Sequence, residues 1–199
     1  MMWKKISKSL LKKKLMNNQL KKNPLKHPEQ RIGVFIDVQN MYYSAKNLFN
    51  KKVNFGNIVA EAVAGRKLIR SIAYVVRTET QDEQPFFEAL YNLGIETREK
   101  DLQIFNSGMK KADWDVGLTV DAIRLSSSLD AIAIVSGDGD YVPLIEYLRS
   151  MGKQVEVLAF GETTSSRLIE SVDDFIDLSA DKAKFLISPA PRFIKKKRK

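Results

Sequence analysis

The sequence predicts an α/β fold: a doubly wound parallel sheet of about five strands with helices on both faces. Three observations lead there. Apolar runs of strand length, such as "RIGVFIDV" and "AIAIVS", are nearly continuous rather than alternating, as in strands covered on both faces. Segments with helical spacing separate these runs, so successive strands are joined by helical crossovers and lie parallel. Glycine and proline punctuate the joints where helices should start and stop.

The elements follow in order. Residues 31–38 form the first strand, and "QNMYYSAKNLF" after it has helical spacing. Asn54 to Val63 reads as a short helix stopped near Gly65. "KLIRSIAYVV" (67–76) is the second strand. Gln84-Pro85 opens a helix that runs to Leu93, with proline suited to the first turn and Gly94 closing it. "IETREKDLQIF" (95–105) alternates and is polar, which suits a third strand near an edge. A helix over Asp113 to Leu125 leads to the fourth strand, Ala131 to Ser136. Val142 to Met151 is helical and closed by Gly152, "QVEVLAF" (154–160) is the fifth strand, and a last helix covers about Thr164 to Val172. The expected organisation is a basic extension (1–29), one domain (30–180) and a basic tail (181–199).

Composition narrows the chemistry. The chain has 199 residues, enough for a sizeable core, and no cysteine, which removes disulfides, zinc-thiolate sites and thiol nucleophiles. Its one histidine, His27, lies in the lysine-rich leader, so Ser-His-Asp triads and histidine metal sites are excluded as well. Catalysis, if present, rests on carboxylates, hydroxyls, lysines and arginines.

The net charge of +9 conceals an asymmetry: nine lysines against Glu29 make residues 1–30 +8, residues 190–199 carry +6, and the body between is therefore −5. Basic arms attract polyanions by releasing their counterions; loosely held solubilising ends are the plainer reading. No apolar run approaches the roughly 18 residues of a membrane span, and the leader is too broken by lysine for a secretory signal. Trp3, Ile6 and Leu10 recur at helical spacing among lysines, a pattern that suits an anionic lipid surface, RNA or a partner. No stable membrane insertion is expected. A homo-oligomer or a protein partner stays open. The expected compartment is cytoplasmic, or nuclear in a eukaryote, where "KKKRK" reads as an import signal.

In doubly wound sheets ligands bind beyond the carboxyl ends of the strands, where strand order reverses. Asp37 ends the first strand; Asp138 and Asp140 follow the fourth on the glycine-rich corner "SGDGD". Asp113 and Asp115 stand where the helix feeding that fourth strand begins. Singly, each acid is explained as a helix cap or a turn residue. Together, acids in pairs at two helix starts plus one at a strand end point to a shared counter-ion. All-oxygen ligands suit Mg²⁺ or Mn²⁺, which would activate water and offset charge on a phosphodiester.

At these residues the chain resembles a family. "FIDVQN" carries Asp-x-x-Asn at the end of strand one, "KKADWDVGLTVDA" a Lys-x-x-x-x-Asp-Val…Asp pattern, and "SGDGDYVPLI" a Ser-Gly-Asp-x-Asp-[Tyr/Phe] pattern. Their order and spacing are similar to those of the NYN domain, in its LabA-like branch of the PIN-like nuclease superfamily, over about residues 30–178. The resemblance implies strand order 3-2-1-4-5 and metal-dependent cleavage of RNA. It implies Asp37, Asp115, Asp138 and Asp140 as metal-site and catalytic acids. Asn40 would orient water or phosphate beside Asp37, and Ser136 would support the last acids. Asp121, about 240° round the helix from Asp115, belongs to an outer layer. Lys110 and Lys111 are candidates for phosphate contacts, as are Lys195, Lys196, Lys197 and Arg198 in the tail. Glu61 and Glu88 match no motif and carry no assigned role. A Toprim-like domain would need a glutamate ending strand one, and a haloacid-dehalogenase-like phosphatase an Asp-x-Asp there; "DVQN" supplies neither. The remaining alternative is an RNA- or protein-binding adaptor with weak or no catalysis.

The charge asymmetry has a measurable consequence. If residues 1–27 and 190–199 supply affinity for RNA, a chain of residues 28–189 will show a flatter salt dependence than the full chain. Each phosphate that the arms no longer neutralise takes about 0.9 from the slope of log affinity against log salt for a duplex and about 0.7 for a single strand. Matching slopes in a salt titration would mean that the arms do not touch nucleic acid.

Overall fold

The computed structural model describes residues 26–77, 84–101, 103–104, 110–111 and 113–187. Its centre is a six-stranded, wholly parallel sheet. Strand β1 (Arg31–Asp37) lies between β3 (Lys67–Arg77) and β7 (Ala131–Val135). Outside β3 lies β4 (Glu96–Asp101); outside β7 come β8 (Gln154–Ala159) and then β9 (Asp174–Asp177). The five expected strands take the order 3-2-1-4-5, and β9 adds a sixth beyond them. Sequence reading missed β9 because "DFID" is short and acid-flanked; its place comes from hydrogen bonding to β8 at a half-buried edge.

Two antiparallel pairs flank the sheet. Lys52–Val53 (β2) pairs with Leu186–Ile187 (β10), and Gln103–Ile104 (β5) with Lys110–Lys111 (β6). The strand expected over 95–105 therefore ends at Asp101, where it leaves the sheet for this second ladder. The folded body also continues past residue 180. A short helix (Lys182–Phe185) precedes β10, and Phe185 and Leu186 are buried.

The main helices are α1 (Val38–Phe49), α2 (Phe55–Val63), α3 (Gln84–Asn92), α4 (Asp115–Ser126), α5 (Val142–Ser150) and α6 (Ser166–Ser171), with Lys182–Phe185 as α7. Alternation along β1 decides which helix meets which residue. Ile32, Val34 and Ile36 join a core with Met41 of α1, Ile58 of α2 and Leu90 of α3. Phe35 belongs to the opposite core, with Leu118 of α4, Ile145 and Leu148 of α5 and Leu168 of α6. Each such side chain contributes about 1.5–3 kcal/mol by leaving water, so the two-faced burial of β1 anchors both layers. Gly33 interrupts the run because Leu129 packs over it: a Cβ there would lie 2.6 Å from Leu129 Cδ1. No helix among the described residues is long and apolar enough to cross a membrane.

One ion-pair network is buried in this frame. Glu156, in the middle of β8 and fully buried, accepts from Arg66 at 2.6 and 2.8 Å. Arg66 follows α2 and also donates to the carbonyls of Ala62 and Val63, satisfying the open end of that helix. Lys26 stands 3.3 Å from Glu156 and 3.1 Å from Asp174, tying the end of the basic extension to β8 and β9. A truncation that starts the chain at residue 28 removes this tie; one that starts it at residue 26 keeps it. Breaking a buried pair leaves a charge without its partner, which typically costs about 3–5 kcal/mol. Arg66→Met is expected near the low end, about 3 kcal/mol, since Lys26 remains beside Glu156. Adding Glu156→Leu should recover most of that deficit in urea unfolding at neutral pH.

Candidate metal and nucleic-acid site

The site lies at the carboxyl edge of β1 and β7, where strand order reverses. Ile36 pairs with Val135, so Asp37 and Ser136, the next residues, leave the sheet side by side. Asp37 is the N-cap of α1: its Oδ1 accepts from the Asn40 backbone N–H at 3.0 Å. The Ser136 hydroxyl, fully buried, donates to Asp37 Oδ2 at 3.3 Å and accepts from the Asp138 N–H at 3.2 Å. Asn40 Oδ1 accepts from the Gly137 N–H at 3.0 Å. These bonds fasten the exit of β1 to the exit of β7.

The "SGDGD" corner is then explained by what packs on it. A Cβ at position 137 would lie 2.9 Å from Thr164 Oγ1 and 3.2 Å from the Thr163 carbonyl. Asp138 caps a single 3₁₀ turn, Gly139–Tyr141, and accepts from the Asp140 N–H at 3.0 Å. Tyr141, fully buried, bridges the acids: its hydroxyl lies 3.0 Å from Asp115 Oδ1 and 3.4 Å from Asp37 Oδ2. A phenol has one proton, so it donates to one carboxylate at a time, and the shorter distance favours Asp115.

Asp115 opens α4 but does not cap it, and the helix expected from Asp113 starts two residues later. The cause is Trp114, which occupies the N-cap position and donates its Nε1–H to the Val75 carbonyl at 2.9 Å. That bond holds the start of α4 against β3 and brings Asp115 towards the β7 loop. Asp115, Asp138 and Asp140 each present a carboxylate oxygen, and the three oxygens lie within 4.8 Å of one another. Asp37 stands outside that triplet, joined to it through Tyr141 and Ser136.

The electrostatics follow. Burial pushes the Asp37 carboxyl up to about 6, and the charges of Asp115 and Asp138 add to this; the Asn40 N–H and Ser136 hydroxyl oppose it. Asp115 is also raised, first by burial and then by Asp138, Asp113 and Asp140, against the hydrogen bond from Tyr141. Burial, then the neighbouring carboxylates, keep the Tyr141 phenol protonated well above its ordinary range. The donor set contains only oxygen atoms, gathered within 4.8 Å of one another, and among the described residues no cation pairs with it. Both properties fit a hard divalent ion.

The other expected residues are distributed as follows. Asp121 accepts from the Tyr74 hydroxyl at 3.1 Å and stands 3.6 Å from Arg98, apart from the carboxylate triplet. Lys110 and Lys111 form β6, while their side chains lie outside the described residues, as do Lys195, Lys196, Lys197 and Arg198. Glu61 pairs with Lys184, and Glu88 accepts from Gln84, so neither meets the acids. Sequence reasoning gave no role to Tyr141, Trp114, Tyr43, Gln39 or Asn47. Tyr141 lies within one of the family motifs, and Trp114 sits between two acids. Gln39, Tyr43 and Asn47 share a four-residue spacing that signals one helix face.

Set against this arrangement, the likeness to known proteins is specific. Residues 31–179 match the family model for the NYN domain, from the first strand to just beyond the sixth. The chain belongs to the NYN domain family. It is 28% identical over 158 residues to the low amplitude and bright protein LabA of Synechococcus elongatus, covering 75% of this chain and 84% of that protein. It is 27% identical over 182 residues to the uncharacterized protein MJ0482 of Methanocaldococcus jannaschii, covering 88% of this chain and 63% of that one. The crystal structure of VPA0982, a Vibrio parahaemolyticus protein of unknown function, superposes with a TM-score of 0.73 at 28% identity, over 81% of this chain and 99% of that chain.

The buried acid of this NYN domain sets a pH dependence. An unfolded aspartate loses its proton near its ordinary value of 3.8, whereas Asp37 keeps one to about 6. Between these values the native state binds more protons than the unfolded chain, so stability falls as pH rises and stays lowered above about 6. Asp37→Asn is expected to be more stable than wild type at pH 7 in EDTA, by on the order of 1–3 kcal/mol, and equal to it below about pH 4. Urea unfolding at the two pH values checks both halves.

Proposed function

We propose that this NYN domain hydrolyses RNA phosphodiester bonds with a divalent ion, Mg²⁺ or Mn²⁺. The observation that carries the reading is the carboxylate triplet, with oxygens of Asp115, Asp138 and Asp140 within 4.8 Å, at the switch point of a doubly wound sheet. Those three residues would hold the ion, with Asp37 beside them. When bound, it would lower the pKa of an attacking water and offset charge on the phosphoryl group.

The chain's own residues do the rest. Ser136 and the Asn40 backbone N–H hold Asp37 in one orientation. Tyr141 keeps Asp115 facing the same edge, and its phenol stays protonated and so remains a donor. The Asn40 amide closes the gap between the two strand exits. No cysteine is present and the single histidine lies outside this edge, which supports direct attack by water without a covalent intermediate. The body's charge of −5 repels RNA until the acids are neutralised, which gives the basic arms their place in substrate capture.

RNA cleavage assayed with Mg²⁺, Mn²⁺ and EDTA tests the proposal. Activity should need the ion, and Asp138→Asn should lower kcat/KM by roughly 10²-fold or more, the scale on which removing one electrostatic stabiliser of the transition state acts. Cleavage that survives EDTA or Asp138→Asn unchanged would refute the metal-carboxylate mechanism.

A further inference from the structure

Helices α4 and α5 pack side by side on one face of the sheet and share a core through Leu118, Ala122, Leu144 and Leu148. Their outward sides are apolar where a surface helix is ordinarily polar. Val116 is 74% exposed, and Val120, Tyr147 and Met151 are 45%, 46% and 48% exposed. Along α4, Val116, Val120 and the half-buried Ile123 follow one another at steps of four and three, the spacing of one helix face. Asp121 turns to Tyr74 on the β3 side, so Ile123 and Val116, roughly 160° and 140° round the helix from it, lie on the flank towards α5. Arg149 turns to Asp173 and the Ser171 carbonyl, so Tyr147 and Met151, roughly 160° round α5 from it, lie on the flank towards α4. The two rows line one shallow groove that leads from Val116 down to Met151, away from the acid site and towards the amino edge of the sheet.

We infer that this groove is the docking site of the chain's own leader, which binds there as a helix through Trp3, Ile6 and Leu10. Residues 1–25 lie outside the described residues, so the argument rests on their sequence, their tether and the charge of the groove. Trp3, Ile6 and Leu10 span seven positions, as do Val116, Val120 and Ile123, so the two apolar rows have the same length of about 10 Å. An apolar helical stripe laid in an apolar groove is an ordinary mode of recognition. The charges are complementary. Lysines surround the leader's stripe, and no acid occurs before Glu29; neither α4 nor α5 carries a lysine. Asp113, Asp140 and Glu146 stand exposed around the groove, while Arg124 lies towards its amino-edge end. The tether is long enough. Lys26 is held at Glu156 and Asp174, and Gln30 donates to Gln154, three residues after Met151. The 16 residues from Leu10 to Lys26 can span roughly 50 Å, more than the width of such a domain. A chain that arrives from the amino edge meets Met151 first, which puts Leu10 near Met151 and Trp3 near Val116. The leader is then a strap fastened along α4 and α5, with Lys4 and Lys5 beside the acidic end. This docking does not depend on the cleavage reading.

The absence of cysteine allows a direct test in the full-length chain. Leu10→Cys with Met151→Cys is equilibrated in a glutathione buffer, and the effective concentration of the two thiols is read from the fraction closed to a disulfide. The control pair is Leu10→Cys with Tyr91→Cys; Tyr91 is exposed on α3, across the sheet from α4 and α5. All three replaced side chains lie on the surface or in the leader, so the fold is not at risk. A free tether gives an effective concentration in the millimolar range; docking should raise the Leu10–Met151 value at least about tenfold above the control. Val120→Asp, which puts a charge in the groove, should return it to the control value, and high salt should lower it. Equal values for the two pairs, or a Leu10–Met151 value indifferent to Val120→Asp, overturns the proposal. Disulfide-linked dimers that increase with protein concentration overturn it in favour of a second copy of the chain on this face. Flotation of the wild-type chain with phosphatidylserine vesicles, together with closure at the control value, overturns it in favour of a lipid surface.

Discussion

Everything at the site depends on the parallel register between β1 and β7. Pairing Ile36 with Val135 brings Asp37 and Ser136 out of the sheet together, and a slip of one residue would send Asp37 to the opposite face. The register is enforced from both sides. Ile36 and Val135 are buried in one core, Phe35 and Ile134 in the other, so neither strand can shift without exposing apolar surface. Hydrogen bonds from Ser136 and to Asn40 then lock the two exits, and only after that do Asp138 and Asp140 face Asp115.

The arrangement opposes stability. Asp37 is buried beside other carboxylates, and its raised pKa measures the cost of keeping it charged there. The fold tolerates this because two full cores flank the sheet and because the other buried carboxylate among the described residues, Glu156, is matched by Arg66 and Lys26. The two buried acids differ in the chemistry of their neighbours. Glu156 meets cations and is structural; Asp37 meets acids, a phenol and a hydroxyl, and is left needing a counter-charge. That contrast, more than the count of acids, distinguishes a candidate functional carboxylate from a structural one.

Much of the fold was legible in the sequence. The continuous apolar runs are strands whose both faces are covered, and the punctuation by Gly65, Gly94 and Gly152 coincides with positive φ at all three residues. What escaped detection was structure stabilised by partners rather than by pattern. Strand β9 and the β2–β10 pair are short, and they exist because a neighbouring edge accepts them. The start of α4 was misplaced by two residues because the indole of Trp114, through a bond to Val75 from 39 residues away, decides where that helix begins.

For the site, local sequence determined the acids, their positions at strand ends and helix starts, and the hard-oxygen character of any ligand set they form. The order of the strands, and hence which acids meet, follows from long-range pairing that no single segment encodes. Tertiary structure alone decided that Asp115 joins Asp138 and Asp140 while Asp37 stands one hydrogen bond behind, that Tyr141 links the two groups, and that Gln39, Tyr43 and Asn47 line one cavity together with Asp37, Asp115 and Asp138. The physical reason is reach. A carboxylate acts over a few ångströms, so its chemistry depends on neighbours that are distant in sequence and adjacent only after the sheet has formed.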